Sequence, residues 1–212
     1  MNPSSRRVSQ CKKPTGPRGR TVLEGMNLHH SKLTDWGLTH VSIKKQHTIL
    51  DVGCGGGRTL SKLARIATRG NVYGIDYSSE SVAASRRTND RWVKQGRVEV
   101  LHGSVSRMIF RDEMFDLVTA IETHFWWDDL EAGMREAWRV LKPGGKLIVI
   151  AEVYKGAGTQ ISKKAEESAA ETGMTILDLG QHRELFLSAG FSDVQLFEDH
   201  NKGWICTVGN KP

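Results

Sequence analysis

The residues with the clearest chemical potential form a glycine-rich run that opens with an acid. Residues 51–57 read DVGCGGG; they follow the apolar pair Ile49 and Leu50 and precede a stretch of helical spacing that starts at Arg58. Glycine is needed where a ligand approaches the backbone closely, because a Cβ atom would collide with it. A turn that leads into a helix also presents unpaired amide donors and the positive end of the helix dipole. The run therefore predicts a site for a nucleotide-like cofactor.

Two details of this run narrow the class of cofactor. The dinucleotide fingerprint G-x-G-x-x-G, counted from Gly53, needs glycine at position 58, where this chain has arginine. The carboxylate of Asp51 would repel a pyrophosphate, whereas it suits an ammonium or a sulfonium group. Both details disfavour a nicotinamide-dependent oxidoreductase. The run resembles the first motif of the class I S-adenosylmethionine-dependent methyltransferases.

Two further strands are expected to end beside this loop. Segment 71–76 is apolar and ends in Asp76, 25 residues after Asp51; an acid at this place can accept both hydroxyls of a ribose. Segment 97–102 alternates like a strand and leads to Gly103 and Ser104. The family often has an aspartate after that glycine to hold the adenine amino group, and a serine hydroxyl accepts this bond more weakly. The resemblance implies cofactor contacts from Asp51, Gly53, Cys54, Gly55, Asp76, Tyr77, Gly103, Ser104, Val105 and Glu122.

Candidate catalytic residues are expected where strands end, because ligands bind at the carboxyl ends of strands in open α/β sheets. The fourth strand, 115–121, is followed by Glu122, His124 and Trp126. We expect His124 to be the general base, since imidazole titrates near neutral pH; a histidine that only lines the pocket fits the sequence equally well. Glu122 is the second catalytic candidate and could hold the cofactor ammonium or neutralise a cationic acceptor. We expect the acceptor to contact Trp126, Tyr154 after the fifth strand, and His30.

The segment before the first strand, residues 21–46, is too apolar for a linker. The resemblance implies a helical lid over the cofactor. Neighbouring side chains on a helix point about 100° apart, so we expect at most one of His29 and His30 to face the cleft. The sequence therefore predicts no metal site.

The order of elements predicts an α/β fold. Strands alternate with helices, which argues for a mostly parallel sheet covered on both faces. Residues 141–147, LKPGGKL, resemble the turn between a helix and the fifth strand in the ubiquinone-biosynthesis-like, type 11 methyltransferases. The resemblance implies a Rossmann-like sheet of seven strands that ends in an antiparallel pair. It places the methyltransferase domain at residues 47–212, with a short substrate-side insert at about 155–178.

Composition agrees with one domain of this class. A chain of 212 residues with 38% apolar content can bury an adequate core. Cys11, Cys54 and Cys206 show no paired spacing, which disfavours a zinc site or disulfide framework. The sequence shows no apolar run of bilayer length and no apolar core typical of a signal peptide, so we expect a cytoplasmic monomer or homodimer.

The net charge of +6 is concentrated at the N-terminus. Residues 1–20 contain six basic and no acidic residues, and the remainder is balanced at 24 basic and 24 acidic. We expect a basic, flexible tail over residues 1–20. The balanced remainder disfavours a nucleic-acid substrate, and the short insert at about 155–178 favours a small-molecule acceptor. Two alternatives stay open: a nucleic-acid or protein methyltransferase that uses the tail, and a non-catalytic S-adenosylmethionine-binding protein.

Overall fold

The computed structural model describes residues 10–212, and a seven-stranded sheet forms their centre. The spatial order of the strands is β3-β2-β1-β4-β5-β7-β6. Neighbouring strands are parallel from β3 through β5, and β7 runs antiparallel to both β5 and β6. The predicted fold class is therefore confirmed. The strands are β1 (Ile49–Val52), β2 (Val72–Asp76), β3 (Val98–His102), β4 (Phe115–Ile121), β5 (Leu141–Ala151), β6 (Ser192–Asp199) and β7 (Trp204–Asn210).

Helices cover both faces of this sheet. In chain order they are α1 (Gly16–His29), α2 (Ser31–Leu38), α3 (Arg58–Ile66), α4 (Ser79–Thr88), α5 (Asp90–Lys94), α6 (Leu130–Val140), α7 (Gln160–Thr172) and α8 (Leu179–Ser188). A single 3-10 turn, His124–Trp126, follows β4.

The core has two layers because side chains alternate across a strand. Ile49 and Leu50 are adjacent in β1 and fully buried, yet they belong to different clusters. The Leu50 cluster includes Met134 and Phe186 and packs α6 and α8 on one face. The cluster of Ile49 includes Leu33 and packs α2 and α3 on the other. Both faces of the sheet are thereby covered by helices, and its carboxyl edge is left to form a site.

Two boundaries differ from the sequence expectations. Residues 16–20, the end of the predicted flexible tail, already belong to α1, in which Gly19 is buried; residues 1–9 of that tail lie outside the described residues. β5 begins at Leu141 because Leu141 pairs with Phe115 before a register shift. The predicted insert at 155–178 contains α7. Among residues 10–212, no helix has the length and apolar character needed to cross a bilayer.

Candidate functional site

The glycine loop between β1 and α3 is confined by two other elements. Gly53 has a φ of +68°, and a Cβ atom there would lie 2.2 Å from Thr123 Oγ1, just beyond β4. A Cβ atom on Gly56 would lie 2.3 Å from Asn27 Nδ2, and this amide donates to the Gly56 carbonyl oxygen at 3.2 Å. Only glycine fits where the loop passes between the end of β4 and helix α1.

The loop lines a cavity of about 300 Å³, the glycine-loop cavity. Its wall combines the ends of β1, β2 and β4, the segment after β3, and helix α1. The structure brings together in this wall all ten residues predicted to contact the cofactor: Asp51, Gly53, Cys54, Gly55, Asp76, Tyr77, Gly103, Ser104, Val105 and Glu122. Their contacts with a bound cofactor stay a prediction.

Two buried aspartates stand at strand ends in this wall. Asp76 accepts hydrogen bonds from the backbone N–H groups of Gly55 and Ser78, each at 2.9 Å, and burial raises its pKa. Asp51 accepts a hydrogen bond from Thr119 Oγ1 at 2.6 Å. Burial, with a smaller contribution from the charge of Asp76, raises the pKa of Asp51 to about 7 against the lowering effect of the Thr119 hydrogen bond. A cation in the cavity would favour the charged form of both carboxyls.

The segment before α1 closes one side of the cavity. Tyr77 donates its hydroxyl hydrogen to the carbonyl oxygen of Lys12, and Ser78 Oγ donates to that of Pro14 at 2.7 Å. The ammonium of Lys12 lies 3.1 Å from Asp128 Oδ1. Residues 12–14 therefore belong to the site, although the sequence placed them in the tail. Neither these carbonyl contacts nor the role of Asn27 had a recognisable sequence signal.

A larger cavity of about 1180 Å³, the interhelical cavity, lies between α1 and α7. Its lining is largely apolar and includes Val22, Phe125, Val153, Ile161, Ala165 and Met174. The polar side chains in the lining include Arg18, His29 and Glu152. Five residues line both cavities and mark the junction between them: Cys11, Met26, His30, Glu122 and Trp126. The predicted acceptor residues His30 and Trp126 thus stand where the two spaces meet.

Glu122 is the most constrained residue at this junction. Its φ is +57°, which is uncommon for a residue with a Cβ atom. The backbone N–H of Glu122 donates to the Ile150 carbonyl at 2.9 Å, and its Oε1 accepts from the Glu152 backbone N–H at 2.5 Å. Burial raises the pKa of Glu122 to about 7; His30 opposes this shift and the charge of Glu152 adds to it.

His29 and His30 both approach Glu152, contrary to the sequence expectation that at most one would face the cleft. His29 Nε2 lies 3.0 Å from Glu152 Oε2. His30 Nε2 lies 3.8 Å from Glu152 Oε1 and 3.7 Å from Glu122 Oε2. Burial lowers the pKa of His30, but its interactions with Glu152 and Glu122 outweigh this and leave it raised. The expectation assumed one helix, whereas α1 ends at His29 and α2 begins after His30.

The structure corrects the predicted roles of two residues. His124 is 2% exposed, and it is absent from the lining of both cavities. The 3-10 turn directs its ring inward against His182, at a centroid distance of 5.1 Å, and burial lowers its pKa well below 6.5. Tyr154 is also buried, packs with Phe125 and Ile205, and donates its hydroxyl hydrogen to Glu198 at 2.6 Å. Neither residue is placed to act on a ligand at the junction.

Comparison with known proteins agrees with the geometry. Residues 50–149 match a family model described as a methyltransferase domain. An uncharacterized methyltransferase of Bacillus subtilis, YdaC, is 24% identical, with 88% of this chain and 96% of that protein covered. The sterol 24-C-methyltransferase of Aspergillus fumigatus is 34% identical over 50% of this chain, which spans only 28% of that longer protein. A chain from the complex between a Haloferax volcanii methyltransferase activator and its methyltransferase superposes with a TM-score of 0.77, at 22% identity, over 92% of this chain and 94% of its own length.

Proposed function

Because this chain is a class I S-adenosylmethionine-dependent methyltransferase, we propose that it methylates a small-molecule acceptor that binds in the interhelical cavity. The observation that carries this proposal is the junction. The glycine-loop cavity and the interhelical cavity share the wall formed by His30, Glu122 and Trp126. A methyl donor in the first and an acceptor in the second would meet there.

The glycine-loop cavity suits S-adenosylmethionine in size and in chemistry. Its volume of about 300 Å³ is at the lower end of the range for ligand sites. We expect Asp76 to accept the ribose hydroxyls and the carboxylate of Asp51 to favour the cationic part of the cofactor. Tyr77, Ser104 and Val105 line the remaining wall, where the adenine would lie. When bound, this cofactor supplies a methyl group already activated by its sulfonium.

The interhelical cavity favours an organic acceptor of modest size. Its wall is mostly apolar, and ligand pockets of this kind bind small molecules with a few polar groups to orient them. The name of the sterol methyltransferase relative supports an acceptor of this class. Of the six basic residues that suggested a nucleic-acid tail, Lys12 and Arg18 line the two cavities. The tail therefore contributes to the walls of a small-molecule site.

The chain's contribution to the reaction is alignment, exclusion of water and removal of a proton. In-line displacement requires the nucleophile to be held about 3 Å from the methyl carbon. Glu122 is buried at the junction, so we expect it to orient the acceptor and receive its proton. Trp126 lines both cavities and offers an aromatic surface for the acceptor.

Calorimetric titration tests the cofactor assignment. We expect wild type to bind S-adenosylmethionine and S-adenosylhomocysteine with micromolar affinity and NAD with none that can be measured. Asp76→Ala should weaken both at least tenfold, because the ribose loses its carboxylate acceptor. The exposed Asp90→Ala on α5 is the control and should bind like wild type.

Two results would count against the proposal. A folded wild-type protein that binds neither cofactor form would remove the methyl donor. Wild type that binds S-adenosylmethionine yet yields no S-adenosylhomocysteine with phenols, quinols, sterols or amines would favour a non-catalytic binding protein.

A further inference from the structure

Three potential metal ligands converge at the wall of the interhelical cavity. His29 and Glu152 are 3.0 Å apart at their nearest ligand atoms, and His30 lies 3.8 Å from Glu152. One ligand atom from each residue can be chosen so that all three lie within 4.8 Å of one another. The break between α1 and α2 makes this possible, because His30 has φ −82° and ψ 1° rather than continuing the helix.

These separations match the edges of a coordination polyhedron. Two ligands that each lie about 2.1 Å from one ion are separated by roughly 3.0 Å in octahedral geometry and roughly 3.4 Å in tetrahedral geometry. The His29–Glu152 distance equals the shorter edge, and the His30–Glu152 distance exceeds the longer one by a few tenths of an ångström. The distance from His30 to Glu152 is also too long for a good hydrogen bond. The two distances reach different oxygens of Glu152, and the three ligand atoms lie within 4.8 Å of one another, so rotation of the side chains would bring them around a common centre.

Charge at the cluster also favours a cation. Glu152 and Glu122 place two carboxylates around His30, with Glu122 Oε2 3.7 Å from its Nε2. Both carboxylates belong to side chains that are at most one-fifth exposed. When ionised, these two carboxyl groups give the cluster a negative charge in a partly buried place, where a divalent ion would be attracted.

We propose that His29, His30 and Glu152 bind one divalent transition-metal ion, for which Zn²⁺ is the best match. Two imidazoles and a carboxylate are typical zinc ligands, and a set of three protein ligands leaves a position open. Mg²⁺ is disfavoured because it prefers oxygen ligands. All three residues line the interhelical cavity, so the open position would face that space. If the proposed function holds, an acceptor with an oxygen donor would complete the coordination.

The competing explanation is an ordinary histidine–carboxylate pair. The chain provides a matched example: His200 Nδ1 lies 3.5 Å from Glu198 Oε2, with His200 80% exposed. That pair is not among the groups of three possible ligands in the described part of the chain. A variant of His200 therefore removes a histidine next to a carboxylate without touching the proposed site.

Zinc titration of the metal-free full-length protein, without any methyl donor, tests the assignment. We expect calorimetry to show one Zn²⁺ per chain at micromolar affinity or better, with a rise in Tm. His29→Ala and Glu152→Gln should each weaken binding at least tenfold, and His200→Ala should not. Co²⁺ should give visible absorption bands in wild type that both site variants lose. His29 is 61% exposed, so its variant tests the site even if Glu152→Gln folds poorly.

Three results would contradict the proposed metal site. Failure of wild type to bind Zn²⁺ stoichiometrically, or undiminished binding in folded His29→Ala, would overturn the assignment. Loss of binding in Cys11→Ser with retention in Glu152→Gln would place the ion on the thiol and overturn it as well. Since the titration contains no S-adenosylmethionine, its outcome is independent of whether the methyltransferase proposal survives.

Discussion

At the scale of single residues, Glu122 combines backbone strain with burial. A left-handed backbone on a non-glycine residue costs about 1–3 kcal/mol and persists only where its surroundings enforce it. Here the enforcing contacts come from β5 and the residue that follows it, through the Ile150 carbonyl and the Glu152 backbone N–H. The conformation turns the chain after β4 so that the carboxyl reaches the wall shared by both cavities. Such strain is often found at functional sites, which is consistent with a role at the reacting groups.

We predict that Glu122→Gln lowers kcat by about 100-fold, the lower range for loss of a general base, once an acceptor has been found. The amide keeps the size of the side chain but cannot accept a proton. The Kd for S-adenosylhomocysteine should change less than threefold. Release of S-adenosylhomocysteine measures kcat, and calorimetry measures Kd.

Glu131→Gln is the control, because Glu131 is exposed on α6 and pairs only with Arg135 among the described residues. A large loss of cofactor affinity in Glu122→Gln with unchanged kcat would reassign Glu122 to the cofactor ammonium. Unchanged values of both would remove it from the reaction.

At the scale of elements, α2 determines where His30 lies. This helix packs directly on β5 at Gly37, where an added Cβ atom would lie 2.3 Å from Ile150 Cδ1. Cys206 Sγ donates to the Gly37 carbonyl oxygen at 3.7 Å, which ties α2 to β7 as well. The close approach of helix and sheet keeps the break between α1 and α2 next to the carboxyl ends of β4 and β5.

We predict that Gly37→Ala destabilises the protein by about 1–3 kcal/mol, because the methyl group overpacks the contact with Ile150. Gly25→Ala is the matched control: Gly25 lies in α1, and an added Cβ atom would have no neighbour within 4 Å. It should be neutral or stabilising by up to about 1 kcal/mol, since alanine favours the helix. Urea unfolding monitored by circular dichroism gives both values. Equal effects of the two substitutions would contradict the close packing of α2.

Element scale also separates what the sequence could predict from what it could not. Asp51, Gly53 and Asp76 were predictable because each lies at the end of an apolar strand, and a parallel sheet aligns such ends. The convergence of His29 and His30 could not be predicted, because it depends on a break between two helices that no proline or glycine in the sequence indicates. The burial of His124 depends likewise on a short 3-10 turn whose direction is set by packing against α8.

At the scale of the whole molecule, two buried histidines form a contact between the segment after β4 and helix α8. His124, after β4, faces His182 of α8, and both are at most 2% exposed. Neither nitrogen of His182 has a hydrogen-bond partner among the described residues, nor has Nδ1 of His124. Burial lowers the pKa of His182 to about 4, although the charge of Asp178 acts in the opposite direction. The pair is therefore stable only in its neutral form.

The burial of this histidine pair predicts that the free energy of unfolding falls in mild acid. Above pH 6.5 His182 is neutral in both the folded and the unfolded chain, and the free energy of unfolding is unaffected. Between pH 6.5 and 4 the unfolded chain binds a proton that the folded chain does not, so stability falls as the pH falls. His182 alone should account for about 3 kcal/mol over this window, and His124 acts in the same direction.

Urea unfolding at pH 7 and pH 4.5 measures the effect. His182→Leu removes the titrating group at similar volume, so its stability should depend less on pH than that of wild type, by about 2 kcal/mol or more over this interval. His200→Leu removes an exposed histidine instead and should keep the pH dependence of wild type. The same slope in all three proteins would mean that His182 accepts a proton in the folded state. A reduced slope confined to His182→Leu would identify the interior between β4 and α8 as the acid-sensitive part of the molecule.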